Sequence, residues 1–447
     1  MRKILKSFSF VVVFAICAFS VGFVTNSHII KIIKGSFFST YPSEYINPWD
    51  FNWFVDTLDL DMAWDLVTNY SGPVGIIDSG VSTSHIDLSS NYNSALSQDC
   101  LYLNRDPYVD ELSHGSKVAG IFGAAANNGN DTYGVVWNSN IVSLRIDTDD
   151  IYHVETADGL INAIQYAIDN NIKLLNFSGG FVLPSAIGTE GESINSNQLS
   201  TLYSKLANYD GLLVCASGIS GVELDNLIHA IYPQVLNLDN IIVVGGSTSS
   251  DSRCDFSNTS STYVDLFAPG SSLKSTNNNN GTTYWLQGTS FSAPFVTGTL
   301  ALMKSINPDL SSSQLKTILL NSVDVSTSFV EKCVSGGRLN VYKSIINSIP
   351  SFNASNPYIG SLSIAANSSR WIKLIVATPG TYAITNISSL TLSSSLYLEN
   401  NYLTSVASGT CGTGGTLFSY NFSSAGTYYL KTTNVTQYNG FISLIIN

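Results

Sequence analysis

Basic residues are scarce in this sequence. Lysine and arginine together number 20 against 32 aspartates and glutamates, and no basic block follows the N-terminus. A polyanionic backbone is gripped through clustered Lys and Arg, so a net charge of -12 argues against a nucleic-acid partner. Charge of either sign is thin, at 12% of residues, while 44% are hydrophobic and 11% aromatic. Such a chain buries a large core and is not disordered. Cysteine is also rare, and none of the six lies at zinc-ligand spacing from another. Cys17 falls in the N-terminal apolar run, which leaves Cys100, Cys215, Cys254, Cys333 and Cys411, an odd set that allows at most two disulfides. Cys215, inside the strand-like run 212–216, is the expected buried free thiol. Long apolar runs are missing after the first one. That run, residues 8–24 behind Arg2, Lys3 and Lys6, reads as a signal peptide over residues 1–25, with a signal anchor as the alternative. No membrane span is expected beyond such an anchor, and the protein is expected to be secreted or on the cell surface.

What is present points to two folded units, because 447 residues exceed one ordinary core. Ten N-x-S/T sequons, at Asn69, Asn130, Asn176, Asn258, Asn280, Asn353, Asn367, Asn386, Asn421 and Asn434, suit a glycosylated surface, except Asn176, which lies in an apolar run. From residue 74 to about 346, short apolar runs alternate with helical stretches, the pattern of a parallel sheet covered on both faces. Residues 350–357 are polar and turn-rich and read as a linker. From Ile359 onward only short β runs punctuated by Gly, Ser and Asn occur, which predicts a small all-β sandwich over residues 358–447.

Three segments carry chemistry. Val74-Gly-Ile-Ile-Asp78 is an apolar strand ending in an acid and then a Gly turn, the place where open α/β sheets put functional groups. His114 stands before a small-residue helical run, and Ser290 follows a Gly-Thr turn at the start of a buried helix with Pro294 in its first turn. Singly, these are a turn acid, a capping histidine and a serine N-cap. Together they supply a hydroxyl nucleophile, an imidazole to take its proton and a carboxylate to hold the imidazole's tautomer.

With its order Asp78, His114, Ser290, the chain resembles the subtilisin-like serine peptidases. Ile76-Ile-Asp-Ser-Gly80 looks like that family's aspartate box, His114-Gly-Ser-Lys-Val-Ala-Gly120 its histidine box, and Gly288-Thr-Ser-Phe-Ser-Ala-Pro-Phe-Val-Thr-Gly298 its serine box. The resemblance runs from about Trp49 to Ile346, within an expected peptidase domain over residues 49–349, and the C-terminal part is more weakly similar to pre-peptidase-type β-domains. It implies a subtilisin-like α/β fold and an endopeptidase acting on polypeptides through an acyl-enzyme, as a monomer. Ser290 would be the nucleophile, His114 the base and Asp78 the orienting acid. Ser178, Gly179, Gly180, Ala216, Ser217 and Gly218 would line the substrate cleft, and the Ser290 N–H and Thr289 hydroxyl would serve the oxyanion. No cofactor is needed for the chemistry; a structural calcium would fall near residues 127–131, where a solvated polar loop is the alternative.

Departures from the family pattern also carry expectations. Ile219 stands where the family has an asparagine that donates to the oxyanion, so the oxyanion hole is expected to be weakened, and a catalytically impaired binding protein is the rival reading. Gly179 replaces a larger apolar residue, which predicts a roomier primary pocket. Residues 26–48 are short for the inhibitory propeptide of many secreted relatives.

Overall fold

The computed structural model describes residues 40–45, 51–102, 104–148, 154–186, 188, 191–355 and 358–446. The expected signal peptide and most of the segment 26–48 lie outside them.

The first unit is built on β1 (Val74–Asp78), β2 (Gln98–Asp99), β3 (Ile141–Arg145), β4 (Leu174–Phe177), β5 (Phe181–Val182), β6 (Glu192–Ser193), β7 (Leu212–Ala216), β8 (Ile241–Ser247), β9 (Leu266–Pro269), β10 (Leu273–Thr276), β11 (Thr282–Leu286), β12 (Asp324–Val325) and β13 (Gly337–Arg338). Nine of them form one sheet in the order β12-β13-β9-β8-β7-β4-β1-β3-β2, parallel throughout except for the β12–β13 edge. The central strands are apolar at consecutive positions because both faces are covered. Ile76, Leu174 and Val214 enter one core, while their neighbours Ile77, Leu175 and Cys215 enter the other.

The helices are α1 (Trp53–Thr57), α2 (Leu60–Trp64), α3 (Ile86–Ser89), α4 (His114–Gly123), α5 (Ala157–Asp169), α6 (Ser196–Ala207), α7 (Ala293–Ile306), α8 (Ser312–Leu320) and α9 (Val341–Ser348). α7 is buried nearly all round, as its uninterrupted apolar and small residues require, and it forms the hub of one core. Its N-terminus is thereby fixed close to the sheet. All five described cysteines are unpaired, and Cys215 is fully buried in β7. Four sequon asparagines, Asn176, Asn258, Asn386 and Asn434, have no exposed surface.

The second unit is a two-sheet sandwich. One sheet orders β14 (Ser351–Asn353), β16 (Ser369–Val376), β21 (Gly426–Asn434), β18 (Leu392–Leu398) and β19 (Ala407–Cys411). The other orders β15 (Tyr358–Ile364), β22 (Gly440–Ile446), β17 (Gly380–Asn386) and β20 (Thr416–Phe422). The stretch 350–357, expected to be a linker, therefore contributes a strand: β14 pairs parallel to β16, with Ser351 beside Lys373. Its short polar sequence carries too little periodicity to show this.

Ile372, Leu374 and Val376 of β16 fill the sandwich core, while Trp371 turns outward into the core of the first unit with Tyr402 and Tyr429. The Trp371 indole donates to the Leu66 carbonyl at 3.2 Å, and Arg370 meets Asn307 and Asp309 at 2.9 and 3.0 Å.

Candidate active site

The sheet order brings the C-terminal ends of β7, β4 and β1 side by side, at the point where the chain switches from adding strands on one side of β1 to the other. Asp78 ends β1 with no exposed surface. His114 opens α4, and its Nδ1 lies 2.8 Å from Asp78 Oδ1. Gly115 permits that approach, because a Cβ there would sit 2.0 Å from the Gly80 carbonyl oxygen. The Ser79 N–H donates to the same Asp78 oxygen at 2.8 Å, and Asp78 Oδ2 is buried without a partner.

Ser290 occupies a 3₁₀ turn, Thr289–Phe291, immediately before α7. The His114 ring lies 5.8 Å from the ring of Phe291, the next residue. The Ser290 hydroxyl donates at 2.9 Å to the Ser178 carbonyl rather than to His114, and the Ser178 hydroxyl returns a 2.8 Å bond to the Ser290 carbonyl. Asn176 donates to the Ser178 hydroxyl at 3.0 Å, so a buried amide braces this reciprocal pair. Thr289 is buried, and its hydroxyl accepts from the Gly218 N–H at 3.1 Å, tying the serine turn to the turn after β7.

Burial alone would push the His114 imidazole down. Asp78 outweighs it, with Glu155 and Asp110 adding in the same sense, and the ring is raised to about 9. Asp110 is held below α4 by the Ser116 N–H at 2.7 Å and the Ser79 hydroxyl at 2.8 Å. Glu155, which precedes the Thr156 cap of α5, offers a carboxylate oxygen within 4.8 Å of ligand atoms on Asp78 and His114. Burial first, and then Asp78, raise the Glu155 carboxyl above the ordinary range.

The cleft walls differ from expectation. Gly179 does not leave open space, because Glu155 Oε2 stands 1.9 Å from where its Cβ would be. The space expected from Gly179 is thus taken up by Glu155. Ile231, itself fully buried, packs against both Gly180 and Gly218, its Cγ2 and Cδ1 falling 2.5 and 2.8 Å from the respective Cβ positions. Gln234 holds the two walls together, its Nε2 donating to the Gly179 and Ala216 carbonyls at 2.9 and 2.8 Å. Ser217 is fully buried, with its hydroxyl 3.2 Å from the Asn258 carbonyl, so its side chain braces the wall from behind. Ile219 follows Gly218 (φ +96°) and is 48% exposed, a large apolar side chain at the mouth of the turn. Glu155, Ile231 and Gln234 were not singled out in the sequence. Each sits in unremarkable local sequence and reaches the site only through the order of the strands.

The loop 127–131, where the expected structural calcium would fall, is held by carboxylates from two other parts of the chain. Glu44 accepts from the N–H groups of Asn127, Asn128 and Gly129 at 2.9, 2.7 and 3.0 Å. Burial would raise the Glu44 carboxyl, but these donors hold it below the usual range. Asp87 accepts from Asn128 at 2.8 Å and from Thr132, while Asp131 pairs with Lys274 at 3.0 Å and with Tyr284. Asn128 therefore touches both Glu44 and Asp87, and carboxylate and amide oxygens, the ligand type a hard cation takes, gather at this loop.

A parallel sheet that gathers an aspartate–histidine pair and a serine turn at its carboxyl edge defines a serine hydrolase of the open α/β class. More narrowly, residues 73–340 match the model of the subtilase family, and the chain belongs to that family. It is 29% identical over 365 residues to subtilisin-like protease 1 of Plasmodium berghei, covering 72% of this chain and 57% of that protein. It is 32% identical over 251 residues to subtilisin E of Bacillus subtilis, covering 54% of this chain and 58% of that one. The chain thus spans less than two thirds of the length of these relatives. Among solved structures, a cold-adapted subtilisin-like serine proteinase superposes with a TM-score of 0.51 at 26% identity, over 62% of this chain and 90% of that one. The epidermin leader peptide processing protease of Staphylococcus aureus shares the fold, with a TM-score of 0.55 at 21% identity over 66% of this chain and 79% of its own. No helix among the described residues is long and apolar enough to cross a membrane.

Proposed function

We propose that this subtilase is a secreted serine endopeptidase that cleaves peptide bonds through an acyl-enzyme, with Asp78, His114 and Ser290 as its triad and an oxyanion hole weakened at Ile219. The observation that carries the reading is the 2.8 Å contact between His114 Nδ1 and Asp78, beside the turn that bears Ser290. Asp78 accepts a hydrogen bond from Nδ1–H, which keeps the proton on that nitrogen and leaves Nε2 as the free base. The Ser290 hydroxyl leaves the Ser178 carbonyl, exchanging one hydrogen bond for another, and passes its proton to Nε2 as Oγ attacks the substrate carbonyl. The protonated ring then donates to the departing amine, and water repeats the sequence to release the acyl group.

A peptide lies along residues 178–180 as an added strand. Ile231 limits the pocket for its acyl residue, which favours a small side chain such as alanine or serine. Secretion agrees with the N-terminal run, and glycosylation is assigned to exposed sequons such as Asn69, Asn280, Asn353 and Asn421. The rival reading, an impaired peptidase that binds peptides, is favoured by Ile219, which has no donor. Labelling by a fluorophosphonate probe, compared with Ser290→Ala, tests the proposal. Labelling that requires Ser290 supports the enzyme; its absence from the folded protein supports the binding protein.

A further inference from the structure

One acidic group in the cleft is left unused by the triad chemistry. Glu155 projects its carboxylate over Gly179, where a Cβ would meet Oε2 at 1.9 Å, and stands beside Asp78 and His114. No cation among the described residues forms a salt bridge or hydrogen bond with it. Among the charges that act on it most strongly, Asp78, Asp147 and Glu192 share its sign and His114 opposes it. The glycine and the glutamate are one device: any side chain at position 179 would displace the carboxylate.

Successive side chains of an extended peptide point to opposite sides. The order β7-β4-β1 sets the turn after β7 on one side of residues 178–180 and the Asp78–His114–Glu155 group on the other. An acyl residue whose side chain points to the side of the turn after β7, towards Gly180 and Gly218, therefore has its preceding neighbour facing Glu155. We propose that Glu155 selects a cationic side chain, lysine or arginine, in the substrate residue immediately before the one whose carbonyl Ser290 attacks; this rests on the peptidase reading above. A cation there makes a charge-assisted bond with a partly desolvated carboxylate, which corresponds to about 10- to 100-fold in affinity. It also offsets the acids facing His114, namely Asp78, Glu155 and Asp110, so a cationic substrate moves the rise of activity to lower pH.

The test uses two peptides that differ only at this residue, lysine or norleucine. Their binding to the Ser290→Ala protein is measured by calorimetry, and their turnover by the active protein is measured in parallel. The lysine peptide is expected to bind Ser290→Ala about 10- to 100-fold more tightly and to show the same ratio in kcat/KM. Glu155→Gln should bring both ratios to about one, and Glu155→Lys should invert them when glutamate replaces lysine in the peptide. Equal binding of the two peptides, including no binding of either, overturns the proposal, as does a preference that survives Glu155→Gln in a variant with unchanged thermal midpoint. A binding preference without turnover supports the Glu155 assignment and sinks the peptidase reading; turnover without preference does the reverse.

Discussion

Loss of the proton on His114 is the step that should switch this protein on as pH rises. Only the neutral ring can accept from Ser290, and Asp78 at 2.8 Å, helped by Glu155 and Asp110, raises the imidazole from 6.5 to about 9. The neutral fraction is then about 1% at pH 7 and about one half at pH 9, so kcat/KM should climb about 50-fold between them. The assay is initial rates on a quenched peptide lacking titrating side chains, across the neutral and alkaline range. A midpoint at or below the ordinary 6.5 would refute the reasoning, since it would mean that desolvation wins over Asp78. Asp78→Asn provides the control: it should lower kcat by about 10⁴ and remove the upward displacement of the residual midpoint. Stability moves the other way. A group whose folded pKa is raised stabilises fully below its unfolded value, and that contribution is lost as pH passes through about 9, so the thermal midpoint should fall across the interval in which activity rises.

Two substitutions probe the rest of the cleft. Ile219→Asn restores an amide at the turn after β7 and should raise turnover by about one to three orders of magnitude; in subtilisin itself, loss of such a donor costs about 10²–10³. Turnover unchanged within about twofold would show that another group already fills the place. Ile231→Ala empties the space between Gly180 and Gly218 and should shift the preferred acyl residue from alanine towards leucine or phenylalanine. The same change costs about 2–5 kcal/mol of stability, read as a lowered thermal midpoint. An unaltered preference would remove Ile231 from the pocket floor.

The parts of this molecule that are continuous in the chain were the legible ones. Asp78 could be read because it ends an apolar run followed by glycine, and Ser290 because a small-residue helix with Pro294 in its first turn begins just after it. The alternation of runs gave the parallel sheet for the same reason: both-face burial leaves consecutive apolar residues such as Ile76 and Ile77. Glu155 was illegible because it looks like any acid before a helix cap, and nothing local reveals that Gly179 vacates the volume it fills. Ile231 was hidden similarly, since it comes to back both Gly180 and Gly218 only when β4 and β7 lie side by side. At the 127–131 loop the spacing alone was uninformative, because Glu44, distant in sequence, supplies the acceptor for three of its N–H groups.

The junction through Trp371, Tyr402 and Tyr429 sets a timetable for the nascent chain. A ribosome completes Asp78, His114 and Ser290 well before it makes these three aromatic residues, yet the core that carries α7 includes all three. Until they arrive, the face of the first unit that receives them is wet, and the backbone carbonyl of Leu66 lacks the indole that meets it at 3.2 Å. These sandwich residues are therefore a later-delivered part of the core itself, and the packing around α7 is complete only once they have been made.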